Sequence, residues 1–235
     1  MVIATYNERE NISSLVSGIL SLKPEFNVLV VDDNSPDGTG KEVAGLVERE
    51  KRVDLLSRSG RKGYGSAILE GFRKALGMDA DRIFTMDADH SHNPEALVAL
   101  DQGLENYNLI IGSRYLGGIR ILNWSLGRLA LSLGANAYVR FLLRVPYSDC
   151  TSGFRGYRAS TIRALIQNSI HSSGYAFLVE ILNIAHRAGF SIGEVPIIYT
   201  ERRAGRSKMS KASIREAVYR PWIMIARNLA KKTMK

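Results

Sequence analysis

Cysteine is nearly absent from this chain: Cys150 stands alone among 235 residues. One thiol can form neither an internal disulfide nor a thiolate cluster for zinc, which excludes a disulfide-built secreted module. Long apolar runs are missing too, and nothing approaches the roughly twenty residues needed to span a bilayer. The chain opens almost at once on the strand-like VIAT, which leaves no room for a signal peptide, so an intracellular location is expected. No GxxxxGK[ST] loop occurs, and Gly63-Tyr64-Gly65 fails as a dinucleotide fingerprint because Ile68 takes the third glycine position. The four histidines (His90, His92, His171 and His186) are too scattered for a metal site, and no serine–histidine–acid arrangement can be drawn. His171 and His186 read as structural.

What is present is an ordinary globular balance, 45% hydrophobic and 23% charged, enough for one well-buried domain. The net charge of +9 is unevenly placed. Residues 1–200 carry 21 basic and 21 acidic side chains, whereas 201–235 carry eleven Lys/Arg against two Glu. Such a basic end suits an acidic membrane surface, a phosphorylated substrate, nucleic acid, or simply water. Nucleic acid is disfavoured because the aromatics are not interleaved with the charges in a stacking pattern.

Short β-branched runs alternate with helical periodicity. Strands are expected at 2–5, 27–31, 53–57, 82–86 and 108–112, with helices around Ile12–Leu20, 39–50 and 65–76. A further helix should start at Asn93-Pro94-Glu95, with Asn as cap and Pro in the first turn. This alternation predicts an α/β fold with a mostly parallel sheet flanked by helices. Beyond 113 the rhythm changes. Residues 123–144 look helical, with Leu126, Leu129, Ala130, Leu133, Ala137, Phe141 and Leu142 apolar and Arg128, Arg140 and Arg144 between them. A core helix is expected there, the other reading being a helix lying in a bilayer interface. Ala176–Arg187 reads as a helix and Ser191–Thr200 as a strand. A final amphipathic helix carries Ile214, Val218, Trp222, Ile225 and Leu229, with Pro221 expected to kink or restart it.

Open α/β sheets bind ligands beyond the carboxyl ends of their strands. The segments there are Tyr6-Asn7-Glu8, Asp32-Asp33-Asn34-Ser35, Arg61-Lys62-Gly63, Asp87-Ala88-Asp89 and Gly112-Ser113-Arg114. Three are acidic, which calls for a cation or a ligand's hydroxyls and amines to satisfy them. Asp87-x-Asp89 offers hard oxygen donors suited to Mg²⁺ or Mn²⁺ on a nucleotide diphosphate. The chain supplies its own control, because Asp79-Ala80-Asp81 is the same tripeptide on the wrong rim. Gly63 and Gly65 allow either a close backbone approach to a ligand, with Lys62 near its phosphates, or only a tight turn.

Taken together, Ala4-Thr5-Tyr6-Asn7-Glu8, Val30 to Thr39 (VVDDNSPDGT) and Lys62 to Ala67 (KGYGSA) resemble an inverting, nucleotide-sugar-dependent family 2 glycosyltransferase with a GT-A fold. Asp87 to Pro94 (DADHSHNP), Gly112-Ser113-Arg114-Tyr115, Asp149 to Arg155 (DCTSGFR) and Gly205-Arg206-Ser207-Lys208 narrow the resemblance to the dolichyl-phosphate (polyprenyl-phosphate) mannosyltransferases, over about residues 2–210. Ala4 stands where that family usually has proline, His90 replaces an apolar residue, Ser91 stands where some members place a glutamine metal ligand, and the transmembrane helices of some relatives are absent.

The resemblance implies a GT-A catalytic domain over 1–210, with a nucleotide half to about 113 and an acceptor half from 114, followed by a basic amphipathic helix at 211–235. It implies GDP-mannose as donor and dolichyl or polyprenyl phosphate as acceptor. Thr5, Tyr6, Glu8, Val31 and Asp33 would line the nucleoside pocket, with Lys62, Asp87, Ala88 and Asp89 at the rest of the nucleotide-sugar. Asp87, Asp89 and Ser91 would face the Mg²⁺ or Mn²⁺. Arg114, Arg128, Arg202, Ser207 and Lys208 would hold the acceptor phosphate or the donor diphosphate, and Asp149, Arg155 and Glu180 would stand behind them. A phosphate monoester, with a second pKa of about 6, is largely dianionic at neutral pH and needs no general base. Positioning and charge management then carry the reaction. The implied setting is peripheral, on the cytoplasmic side of a membrane (endoplasmic reticulum or plasma membrane), with a small membrane-anchoring subunit as a further partner. A UDP-glucose-dependent polyprenyl-phosphate glucosyltransferase and a non-catalytic nucleotide-sugar-binding subunit are the competing readings.

Overall fold

The computed structural model describes residues 1–60, 63–172, 174, 176–201 and 211–233, with side chains from 215 to 228 in the last stretch. Seven strands form one sheet in the order β3-β2-β1-β4-β6-β5-β7. They are β1 (Val2–Thr5), β2 (Val28–Asp32), β3 (Val53–Ser57), β4 (Arg82–Thr85), β5 (Leu109–Ser113), β6 (Arg155–Arg158) and β7 (Ile192–Pro196). β6 alone runs against its neighbours. β1, β2 and β5 are near-continuous apolar runs because both sheet faces are covered.

On one face lie α1 (Arg9–Leu20), α2 (Thr39–Val47) and α4 (Ala96–Gly103). α1 buries Ile12, Leu15, Val16 and Ile19, the i, i+3, i+4, i+7 stripe that its sequence spacing predicts. On the other lie α3 (Tyr64–Gly77), α6 (Ala159–Ile166) and α7 (Ala176–Arg187), joined by Val139 of α5 (Leu126–Leu143) and Met224 of α8 (Lys211–Thr233). Gly71 lets α3 settle on the sheet, since a Cβ there would stand 2.4 Å from a Val2 methyl.

Ahead of α4, Asn93 Oδ1 accepts from Glu95 N at 3.1 Å, so the expected Asn-Pro start is realised as a preceding turn. β7 leaves the sheet after Pro196, and the expected strand to Thr200 continues as an extended segment bridged to His92 and Ile121. Pro221 does not restart the last helix but sits inside a single continuous one. The core reading of 123–144 is overturned, because α3, α6 and α7 already cover that sheet face. α5 buries only Asn136 and Val139, leaving Leu126 85% and Phe141 82% exposed.

Candidate functional site

The chain runs outward from β1 to β3 and then returns to β4 on the other side of β1. This reversal is the switch point at which open sheets hold their ligands. Tyr6-Asn7-Glu8 and Asp87-Ala88-Asp89 flank it. Asp81, at the opposite end of β4, lines a separate cavity of about 640 Å³ on the far rim, as its position before the strand implies.

The side expected to take the nucleoside is built on a net of carboxylates. Asp32 accepts from Thr5 Oγ1 (2.9 Å) and Ser35 N (2.9 Å), closing the loop after β2. Asp33 is buried, bonded to the Arg58 guanidinium through Oδ1 and to Gly63 N (3.1 Å) through Oδ2. Arg58 also reaches Glu70 and Ser66. Breaking a pair this deep costs about 3–5 kcal/mol, so Asp33 fastens the approach to α3. Glu8 is buried, with Oε2 accepting from Asn11 Nδ2 (2.9 Å), while its carbonyl starts α1. Tyr6 is half-exposed at the rim. Two expected lining residues present no side chain: strand alternation turns Val31 into the core under α3, and Ala88, in the bend beyond β4, is buried in the cluster that holds α1 and α4.

Gly63 takes φ +95°, a backbone region that favours glycine, and its N–H is the donor to Asp33. Gly65 serves packing instead, since a Cβ there would meet Phe177 Cβ at 2.8 Å and Ser172 O at 2.9 Å. Lys62, Arg202, Ser207 and Lys208 lie outside the described residues.

At the end of β4, Asp87 is partly open and Asp89 is buried, with Oδ1 accepting from Ser91 N at 3.1 Å. Ser91 is fully buried and thereby orients Asp89. Gly153 lies beneath Asp87, and a Cβ at that position would come within 3.2 Å of its Oδ1. Among the described residues no three His, Cys, Asp or Glu side chains form a metal cluster. Two hard carboxylates with space kept at one of them fit a Mg²⁺ or Mn²⁺ that takes its other ligands from a diphosphate and water.

The side expected to take the acceptor centres on Arg114. Asp149 receives its Nε (2.6 Å) and Nη2 (2.7 Å) in a fork, and Nη2 also reaches Thr151 Oγ1 (2.7 Å). Nη1 has no partner among the described residues. Burial alone would raise the Asp149 carboxyl, but the bonds and charge of Arg114 outweigh it and hold it below the usual carboxylate range. Burial also opposes the Arg114 charge, and Asp149 more than restores it. Glu194 of β7 sets the Asp149 loop, accepting from Ser148 N (2.8 Å), Ser148 Oγ (2.7 Å) and Asp149 N (3.1 Å). Arg155 is fully buried and donates to Leu178 O and Cys150 O, bracing the same loop from below. Glu180 stands elsewhere: it accepts from His171 N and Ser172 N and pairs with Arg227 of α8 at 3.6 Å.

Ser125 caps α5 through Arg128 N and so places Arg128 in the first turn. Its guanidinium lies over Trp124, 4.1 Å from the ring centroid, and pairs with Glu201. Tyr199 joins the two sides. Its ring centroid is 5.4 Å from the Arg114 guanidinium carbon, 5.3 Å from Trp124 and 5.1 Å from His92, whose Nε2 is 3.7 Å from Asp87 Oδ2. Burial, reinforced by the Asp87 charge, raises the Tyr199 phenol. The next residue, Thr200, donates its N–H to Ser91 O at 3.0 Å. One extended segment therefore ties the carboxylate pair to the paired arginines.

The sequence reading missed Arg58, Trp124, Glu194, Tyr199 and Glu201. Arg58 directly follows β3, so the rule that found Asp32 and Asp33 also points to it. The others are joined only by tertiary folding.

The fold defines a class. Its solved neighbours are GT-A glycosyltransferases: glucosyl-3-phosphoglycerate synthase from Mycobacterium tuberculosis, in complex with Mn²⁺, uridine-diphosphate and phosphoglyceric acid, aligns at TM-score 0.69 and 18% identity over 92% of this chain and 74% of that one. Mannosyl-3-phosphoglycerate synthase from Rubrobacter xylanophilus aligns at 0.68 and 18%, over 99% and 74%. Residues 1–166 match Glycosyl transferase family 2. Polyprenol monophosphomannose synthase of Mycolicibacterium smegmatis is 42% identical over 94% of this chain and 84% of its own length. Undecaprenyl-phosphate mannosyltransferase of Micrococcus luteus is 40% identical over 92% and 89%. The chain belongs to glycosyl transferase family 2 and is a glycosyltransferase.

Proposed function

We propose that this enzyme transfers mannose from GDP-mannose to the phosphate of a dolichol or other polyprenol, with inversion at the sugar carbon. The observation that supports the reading is the Tyr199 segment, whose ring contacts link Arg114 and Arg128, through Trp124 and His92, to the loop that carries Asp87 and Asp89. The two relatives of about 40% identity are named for polyprenol and undecaprenyl-phosphate mannose transfer, which supports the acceptor and the sugar.

Asp87 and Asp89 would hold a Mg²⁺ or Mn²⁺, whose chemistry there is to neutralise the departing diphosphate. Thr5, Tyr6, Glu8 and Asp33 shape the nucleoside side. Arg114, pre-set by Asp149 and with one nitrogen unspent, and Arg128, stacked on Trp124, receive the acceptor phosphate. Lys62, Arg202, Ser207 and Lys208 complete the phosphate contacts in this proposal. The attacking dianion brings its own electron pair, so no side chain has to take a proton. Because the acceptor's prenyl chain stays in lipid, the enzyme works peripherally on the cytoplasmic face of a membrane, alone or beside an anchoring subunit.

The test is transfer from labelled GDP-mannose and UDP-glucose to polyprenyl phosphate, with wild type and Asp89→Asn. Mannosyl lipid from wild type alone, abolished by chelation and restored by Mg²⁺ or Mn²⁺, is expected. Glucosyl lipid would move the enzyme to the glucosyltransferase reading. Full turnover by Asp89→Asn would remove the carboxylate pair from the reaction.

A further inference from the structure

α5 is an anomaly for a helix facing water. From Leu126 to Ala137 every exposed residue is Leu, Ala or Gly, and its first cation there is the half-buried Arg128. The stripe Leu126, Ala130, Leu133, Ala137 and Phe141 repeats every three or four residues and points away from the protein. α8 continues the surface with exposed Val218, Tyr219 and Trp222, braced to α5 by Tyr138 Oη donating to Val218 O at 2.6 Å. Together with exposed Ile119 and Leu122, this makes an apolar face of the kind soluble surfaces rarely leave uncovered.

The charge around it selects the occupant. Residues 106–148 contain five arginines and no Asp or Glu. Arg120, Arg140 and Arg144 are exposed at the edges of the apolar stripe, and Arg215 extends the rim on α8. A second copy docking through a two-fold axis would set arginines against arginines. An anionic bilayer satisfies both features, taking the apolar stripe into its interface and pairing the arginines with lipid phosphates. No described helix is long and apolar enough to cross a membrane, so α5 would lie along the surface for about 27 Å.

We infer that the α5–α8 face is an in-plane docking surface for an anionic lipid bilayer. It rests on the membrane setting proposed above and adds a position to it. Arg128 is two residues from the inserted Leu126, so the mouth of the acceptor site opens at headgroup level.

The experiment is sedimentation of the protein with vesicles of phosphatidylcholine alone or with 30% phosphatidylglycerol (about one anionic headgroup in three), without donor. Binding to the anionic vesicles that weakens at high salt is expected, falling about tenfold or more in Phe141→Asp. Phe141 is remote from the acceptor arginines in sequence and exposed, so the variant should melt like wild type. It should also keep its rate toward a short, water-soluble prenyl phosphate while losing rate toward vesicle-borne polyprenyl phosphate. Equal sedimentation of wild type and Phe141→Asp, or of both vesicle types, overturns the inference. A variant that instead loses self-association in light scattering, with vesicle binding intact, assigns the face to a second copy. Absence of transfer to any acceptor, with vesicle binding as expected, would sink the proposed reaction and leave the docking surface standing.

Discussion

The Arg128 guanidinium rests on the Trp124 indole, 4.1 Å from its centroid, while the same indole packs edge-on against Tyr199 at 5.3 Å. Such a stack fixes a flexible cation, which in the proposed reaction would meet the acceptor phosphate, and is worth about 0.5–2 kcal/mol. Trp124→Leu should therefore raise KM for the lipid phosphate roughly 2- to 30-fold while leaving KM for the nucleotide-sugar near wild type. Initial rates with each substrate varied in turn check this; a change confined to the donor would refute the assignment.

Asp149→Asn strands a buried guanidinium and should cost about 3–5 kcal/mol of stability. Its effect on pH dependence has a definite sign. The Asp149 carboxyl titrates lower in the folded chain than its ordinary value, so the folded state favours the ionised form. The resulting stability is fully present above the unfolded pKa of about 3.9 and is lost as pH falls below it toward the folded value. Urea melts between pH 7 and pH 3 should show wild type weakening across the acid end, and the variant flatter there.

Cys150 is fully buried, and that burial pushes its thiol up to about 12. Thiolate is the reactive form. Iodoacetamide at pH 8 should leave the native protein unmodified by mass and label it once in denaturant. Rapid native labelling would show the loop from Tyr147 to Thr151 to be open.

Gly65→Ala should lower stability by about 1–3 kcal/mol, because the new methyl meets Phe177 and a backbone carbonyl at under 3 Å. At this chain length each kcal/mol lowers Tm by about 2–4 °C, readable by calorimetry. An unchanged melting point would mean that α3 and α7 shift apart freely.

Much of the first half was legible because its strands and helices are local patterns: VIAT and VDLLS coincide with β1 and β3, and Asp87-x-Asp89 falls at the end of β4. β6 was not, since Arg155-Gly156-Tyr157-Arg158 lacks strand-like composition. Its glycine is required because a Cβ would stand 2.9 Å from Phe84, and its arginines donate to carbonyls of other segments rather than to a strand neighbour. α5 misled for the opposite reason. Its apolar period is real, but periodicity names a face without naming what covers it. The site divides similarly: the carboxylates and Arg114 follow strands, whereas Trp124, Tyr199 and Glu201 meet only once the chain is folded.

The antiparallel strand has a consequence for how the molecule comes apart. β5 touches β4 only through β6, which belongs to the later part of the chain. A fragment ending at 113 would carry β5 with neither of its sheet neighbours, so early and late portions are woven into one fabric. Heat should undo them in a single step, and co-expressed pieces cut there would have to find each other before either holds its shape.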